Sequence, residues 1–174
     1  MIYKKEKKET KIISAFPACG KTHYFENNKD SKIILDSDSS KFSWIYSDVG
    51  ASVNTLKLVK AKIRNPEFPK NYIEHIKENI GKVDYIFVSS HDIVRKALNE
   101  SGIDFIIVYP EQTLKAEWVG RCFLRGSGEK FCKLIADNWD GWIAEMDKDC
   151  VLNKHDSYRL KHNEFLSDAM EYIG

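Results

Sequence analysis

Short apolar runs alternate with amphipathic segments along this chain, and that alternation predicts an α/β domain. KIISAF stops at Pro17 and reads as a buried strand. GKTHYFENN then starts a helix that the asparagines and Lys29-Asp30-Ser31 close. SKIILDSD, VDYIFVSS and IDFIIVYP read as further strands, and SYRL as a short last one. Between them, KNYIEHIKENI places Tyr72, Ile73, Ile76 and Ile80 on one helical face, and HDIVRKALNESG reads as a helix ended by Gly102. EKFCKLIADNWDGWIAEM and FLSDAMEYI supply two more helices, with Trp139 and Trp142 as packing residues. From Ser39 to Arg64 the pattern weakens to a surface lobe, where Leu56, Val59 and Ile63 recur at helical spacing before NPEFP breaks the chain. The order predicts about five parallel strands with helices on both faces.

Composition narrows the class without choosing a function. The 174 residues fit one domain (1–174), 43% hydrophobic and 30% charged, with a formal net charge of +1. Near-neutral charge gives no global attraction to nucleic acid, although local basic clusters are compatible with it. No apolar run reaches the length of a membrane span, MIYKKEKKET has no apolar signal core, and Cys19, Cys122, Cys132 and Cys150 form no C-x-x-C pair. The expectation is a cytoplasmic protein with structural thiols and no membrane partner.

The candidate chemistry begins at Ala15-Phe16-Pro17-Ala18-Cys19-Gly20-Lys21-Thr22, which fits G-x-x-x-x-G-K-[ST] at every fixed position but the first. Such a loop turns backbone N–H groups toward phosphate oxygens at a helix N-terminus. Gly20 stands where backbone passes closest to phosphate, Lys21 reaches the β- and γ-phosphates, and the Thr22 hydroxyl suits Mg²⁺. Ala15 is tolerable there if its φ is negative. Asp36 and Asp38 are two apart after the second strand, a spacing that turns both carboxylates toward the C-terminal edge of the sheet. The competing reading is an Asx-turn, with Asp38 or the serines starting a helix. The third strand ends in Ser89-Ser90 rather than aspartate, which shifts metal binding toward Asp36 and Asp38 and makes Thr22 and Asp38 the expected metal ligands, with Ser89 or Ser90 open as a contact to Mg²⁺ water or substrate. His91 and Asp92 read as helix-start residues. Lys115, Arg121 and Arg125 form a basic stretch, and the two arginines, four apart, share a helical face ahead of Gly126-Ser127-Gly128.

Strand, FPACGKT, helix, strand, DSD resembles the small P-loop kinases, the nucleoside monophosphate kinases and shikimate- or gluconate-type kinases among them. VYPEQTLKAEWVGRCFLRG resembles phage-encoded P-loop proteins described as nucleotide kinases, which commonly carry glycine at the position of Ala18. The resemblance implies a three-layer P-loop NTPase domain using ATP and Mg²⁺, in the host cytoplasm if phage-encoded. It implies donor binding by Pro17 to Thr22, and roles for Asp36 and Asp38 in metal organisation or in holding or deprotonating an acceptor hydroxyl. It places an acceptor lobe at about 39–70, where Phe42, Trp44 and Tyr46 would stack on a base and Arg64 would meet a phosphate. Ser90, Arg95 and Lys115 become acceptor contacts, and 111–130 becomes a short helical lid carrying Arg121 and Arg125. The expected reaction moves the γ-phosphoryl of ATP to a nucleoside monophosphate. A hydroxyl acceptor, either a small metabolite or a polynucleotide end, and a non-catalytic nucleotide-binding module stay open beside it.

Overall fold

The computed structural model describes residues 9–49 and 59–174, and the charged segment 1–8 and Leu56 lie outside them. In chain order the elements are β1 (Lys11–Ala15), α1 (Lys21–Asn28), β2 (Ile34–Asp36), α2 (Ser40–Ser43), β3 (Trp44–Val49), β4 (Val59–Arg64), α3 (Lys70–Asn79), β5 (Tyr85–Ser89), α4 (Asp92–Glu100), β6 (Ile106–Pro110), α5 (Lys115–Leu124), α6 (Glu129–Asn153), β7 (Ser157–Leu160) and α7 (Leu166–Ile173). A 3₁₀ turn at Gln112–Leu114 precedes α5.

Five strands form one sheet in the order β2-β5-β1-β6-β7, every pair parallel. The three central strands are near-continuous apolar runs, as burial on both faces requires, with Ile12 to Ala15, Tyr85 to Val88 and Ile107 to Tyr109 all buried. Helices flank the sheet, an arrangement compatible with three α/β layers. Ala15 is level with Ser89, so β1 and β5 end together, whereas β6 runs two residues past Val108, the partner of Ala15, to Pro110. β1 leads through α1 to β2 on one side, whereas its neighbour β6 leads outward to β7 on the other. The strand order therefore reverses at β1, and a crevice opens at such a point in open α/β sheets.

Two expectations are corrected. Val59 and Ile63 are not helical: β4 pairs antiparallel with β3 in a separate two-stranded sheet, Trp44 opposite Arg64 and Tyr46 opposite Lys62. A spacing of four is also an even number, so it keeps two residues on one face of a strand as well as of a helix. The expected lid is a helix, but α5 is anchored, with Trp118 and Cys122 wholly buried. Trp118 lies 6.2 Å from Trp139, which packs edge-on to Phe16 at 5.6 Å and donates its Nε1–H to the Gln112 carbonyl at 2.8 Å. No helix among the described residues is long and apolar enough to cross a membrane.

Candidate functional site

The loop from Ala15 to Thr22 leaves the end of β1 and enters α1 at the reversal point. Ala15 is buried in strand backbone, so the missing first glycine imposes no left-handed residue there. The left-handed positions are Ala18 (φ 61°) and Gly20 (φ 101°). Gly20 caps α1 with no side-chain acceptor, which leaves the first-turn N–H groups without an intrahelical partner. Lys21 folds back over the loop, donating to the Ala15 carbonyl at 2.7 Å and the Phe16 carbonyl at 3.4 Å.

Distant segments brace this loop. Trp118 Nε1–H donates to the Pro17 carbonyl at 2.8 Å. The Leu166 N–H donates to the Cys19 carbonyl at 2.7 Å. The Phe165 ring lies beside Gly20, 3.5 Å from where a Cβ would stand. Cys19 is fully buried, and burial pushes its thiol up, away from the reactive thiolate.

A cleft of about 1180 Å³ opens over the loop, walled by Asp36 to Ser40, Trp44, Arg64, Ser89, His91 to Ile93, and the tip of α5 with Phe131 and Phe165. Asp36 is half-buried; desolvation raises its carboxyl, opposed by the Lys21 charge and aided by Asp38. Asp38 is occupied differently: it accepts from the Ser40 N–H at 2.8 Å and the Ser40 hydroxyl at 2.7 Å. The turn reading therefore holds for Asp38, and the freer carboxylate beside Thr22 is Asp36. The Ser37 and Ser89 hydroxyls are buried on the cleft floor with no partner among the described residues. Of the two serines at the end of β5, Ser89 lines the cleft, whereas Ser90 lines a smaller neighbouring pocket that shares Pro17, His91, Asp92 and Phe131 with it, and the Ser90 carbonyl accepts from Arg95. His91 and Asp92 start α4 as expected and also reach the cleft wall, where burial lowers the His91 imidazole.

The basic residues separate into two groups. Arg64 is exposed at the cleft, its guanidinium 5.0 Å from the Trp44 ring and 5.1 Å from Phe68. Arg125 is exposed over Phe131 at 5.5 Å and bonds the Ser127 hydroxyl. Arg121 lines the cleft but is held, sandwiched 4.0 Å from both Trp118 and Phe165, donating to the Glu164 carbonyl at 2.8 Å and paired with Glu117. Lys115 does not line the cleft, and Arg95 lines the smaller neighbouring pocket with Ser90. Lys115 faces Asp140 at 3.7 Å. Arg95 is 3% exposed because it shares the buried face of α4 with Val94 and Leu98, where it meets Asp149 at 2.6 Å and Glu145 at 3.6 Å on α6. Phe42 packs on Tyr72 and His75, and Tyr46 stands outside the cleft.

The bracing residues Trp118, Phe165 and Leu166 carry no local motif. Only Trp118, one turn before Arg121, left a trace in the sequence. Compared with protein-family models, curated proteins and solved structures, the chain matches none.

Proposed function

We propose that this protein is an ATP-dependent phosphotransferase with a P-loop NTPase-type domain, moving the γ-phosphoryl of ATP to a nucleoside monophosphate. One observation carries the reading. A loop with an uncapped helix N-terminus and a lysine sits where the parallel sheet reverses, in a cleft whose far wall presents an arginine and an indole. Free N–H groups at a helix start favour phosphate. In that role Lys21 exchanges two loop carbonyls for phosphate oxygens. Arg64 meets the acceptor phosphate while Trp44 offers its ring to the base. Arg125, on an exposed tip flanked by Gly126 and Gly128, supplies charge over the transferring group. Arg121 holds Phe165 against Gly20 and so positions the loop.

Mg²⁺ bound with the triphosphate would neutralise its charge. The donor set fits that ion, which keeps most of its waters and takes one or two protein oxygens: Thr22 and Asp36, which both line the cleft, would hold it. In the transfer an acceptor phosphate oxygen bonds the γ-phosphorus as the bridging β–γ oxygen leaves with its electron pair on ADP. A hydroxyl acceptor is the second reading, favoured by Asp36, whose raised carboxyl suits a base for an alcohol.

The test is ADP release with ATP against each nucleoside and deoxynucleoside monophosphate, with small alcohol metabolites and 5′-hydroxyl oligonucleotides as the other arm. Acceleration by a monophosphate supports the first reading and acceleration by an alcohol the second. ATP binding without acceptor-dependent turnover means a non-catalytic module. A folded Lys21→Met variant that turns over like wild type would end the kinase reading.

A further inference from the structure

We propose that the face of the β3–β4 hairpin bearing Trp44, Tyr46, Lys62 and Arg64 binds single-stranded nucleic acid and leads it to the mouth of the cleft. The inference stands whichever acceptor the cleft takes. Residues 44 and 46 point to one side of β3, and their partners opposite, Arg64 and Lys62, point to the same side of β4. The face therefore carries two rings and two cations. Lys62 Nζ stands 4.2 Å from the centre of the Trp44 ring, and the Arg64 guanidinium 5.0 Å from it. Tyr46 is 61% exposed and has no ring or cation partner among the described residues.

Position distinguishes this face from an ordinary solvated hairpin. Trp44 and Arg64 line the cleft, whereas Tyr46 and Lys62 continue the same face beyond it. The two steps are about 6.8 Å apart, twice the rise per strand residue, so the face carries two ring-and-cation steps in succession. Rings interleaved with cations suit a strand that presents base faces and phosphates in alternation. An acidic peptide would use the cations and leave the rings idle. The whole chain is only +1, so this is a local concentration of charge and not a generally basic surface.

The experiment uses the full chain without ATP, so its outcome is independent of kinase activity. Anisotropy of a labelled oligothymidylate of about 12 nucleotides is followed across salt, beside a duplex of equal length and polyglutamate as competitor. Two phosphate contacts predict a log–log salt slope of about −1.4. Tyr46→Ala should weaken binding about tenfold or more. Lys62→Gln should flatten the slope by about 0.7. Both variants should keep the wild-type melting temperature and the wild-type affinity for a fluorescent ATP analogue. No binding at low salt, equal binding of duplex or polyglutamate, or unchanged affinity in both variants each overturns the proposal. Failure of the kinase reading instead shows as absent ATP-analogue binding or absent turnover, with the oligonucleotide result intact.

Discussion

Placing glycine in the Ala15–Thr22 loop should have opposite effects at its two alanines. Ala18 holds φ at 61°, a left-handed conformation that costs a residue with a Cβ about 1–2 kcal/mol. Glycine removes that cost but adds about 0.4–1 kcal/mol of unfolded-chain entropy. Ala18→Gly should therefore fall between neutral and about 1.5 kcal/mol stabilising, an upward shift of at most ~6 °C in Tm for a domain of this size. Ala15 lies fully buried in β1 with nothing left-handed to relieve. Ala15→Gly incurs the same entropy and loses a buried methyl of about 0.8 kcal/mol, so it should destabilise by about 1–2 kcal/mol. Gly20→Ala supplies a third point: the new Cβ meets Phe165 at an ordinary 3.5 Å, so its cost is the backbone at φ 101°, about 1–3 kcal/mol. Thermal and urea unfolding by circular dichroism, run side by side, give all three. A rise in Tm for Ala15→Gly, or a fall of more than about 2 °C for Ala18→Gly, refutes the loop conformation and the reason given for tolerating the missing glycine.

Other measurements probe the walls of the cleft. Burial raises the Asp36 carboxyl, so its contribution to stability is full below the ordinary carboxylate pKa and is lost as pH rises through the raised value. Asp36→Asn should thus raise Tm at neutral pH in nucleotide-free buffer, with the gap closing on acidification, while turnover falls; Asp38→Asn keeps an acceptor for the Ser40 N–H and should change both less. Arg125→Ala should lower turnover about 10²-fold with Tm unchanged. Arg121→Ala should lower Tm, because two ring contacts and the Glu164 bond go with it, and single-turnover kinetics beside melting curves separates the two arginines. Arg95→Ala leaves Asp149 half of a broken buried pair, a loss of about 3–5 kcal/mol and ~10 °C in Tm, with the KM for acceptor unaltered.

The strands and most helices were legible because each is short, apolar and bounded by polar residues. β1, β5 and β6 match KIISAF, VDYIFVSS and IDFIIVYP to within a few residues. β3 and β4 were not, because a half-exposed hairpin such as VKAKIR has a period that four-residue spacing cannot separate from a helix. Among the candidate residues, Gly20, Lys21 and Thr22 were readable as neighbours at one cleft because they are contiguous in sequence. Where Arg95, Lys115 and Ser90 would face was not legible, because charge or polarity at a point in the chain says nothing about which way a side chain turns. Burial of the α4 face pairs Arg95 with Asp149, and a one-residue step past β5 puts Ser90 in the smaller pocket and Ser89 in the cleft. Trp118 and Phe165 act on the loop from about 100 and 145 residues away, a distance no local pattern spans.

Those braces also have a consequence for synthesis. Ribosomes deliver the chain from Met1 onward, so Pro17 to Thr22 emerges early, while its supports on α5 and at the start of α7 come late. At ~5–20 residues per second the loop waits roughly 7–30 s for Leu166 to appear and bond the Cys19 carbonyl. Until then Gly20 has no ring beside it, and Pro17 has no indole until Trp118 has been made. The full set of supports for this loop is therefore among the last things the nascent protein acquires. A chain stalled before residue 118 would lack every one of them.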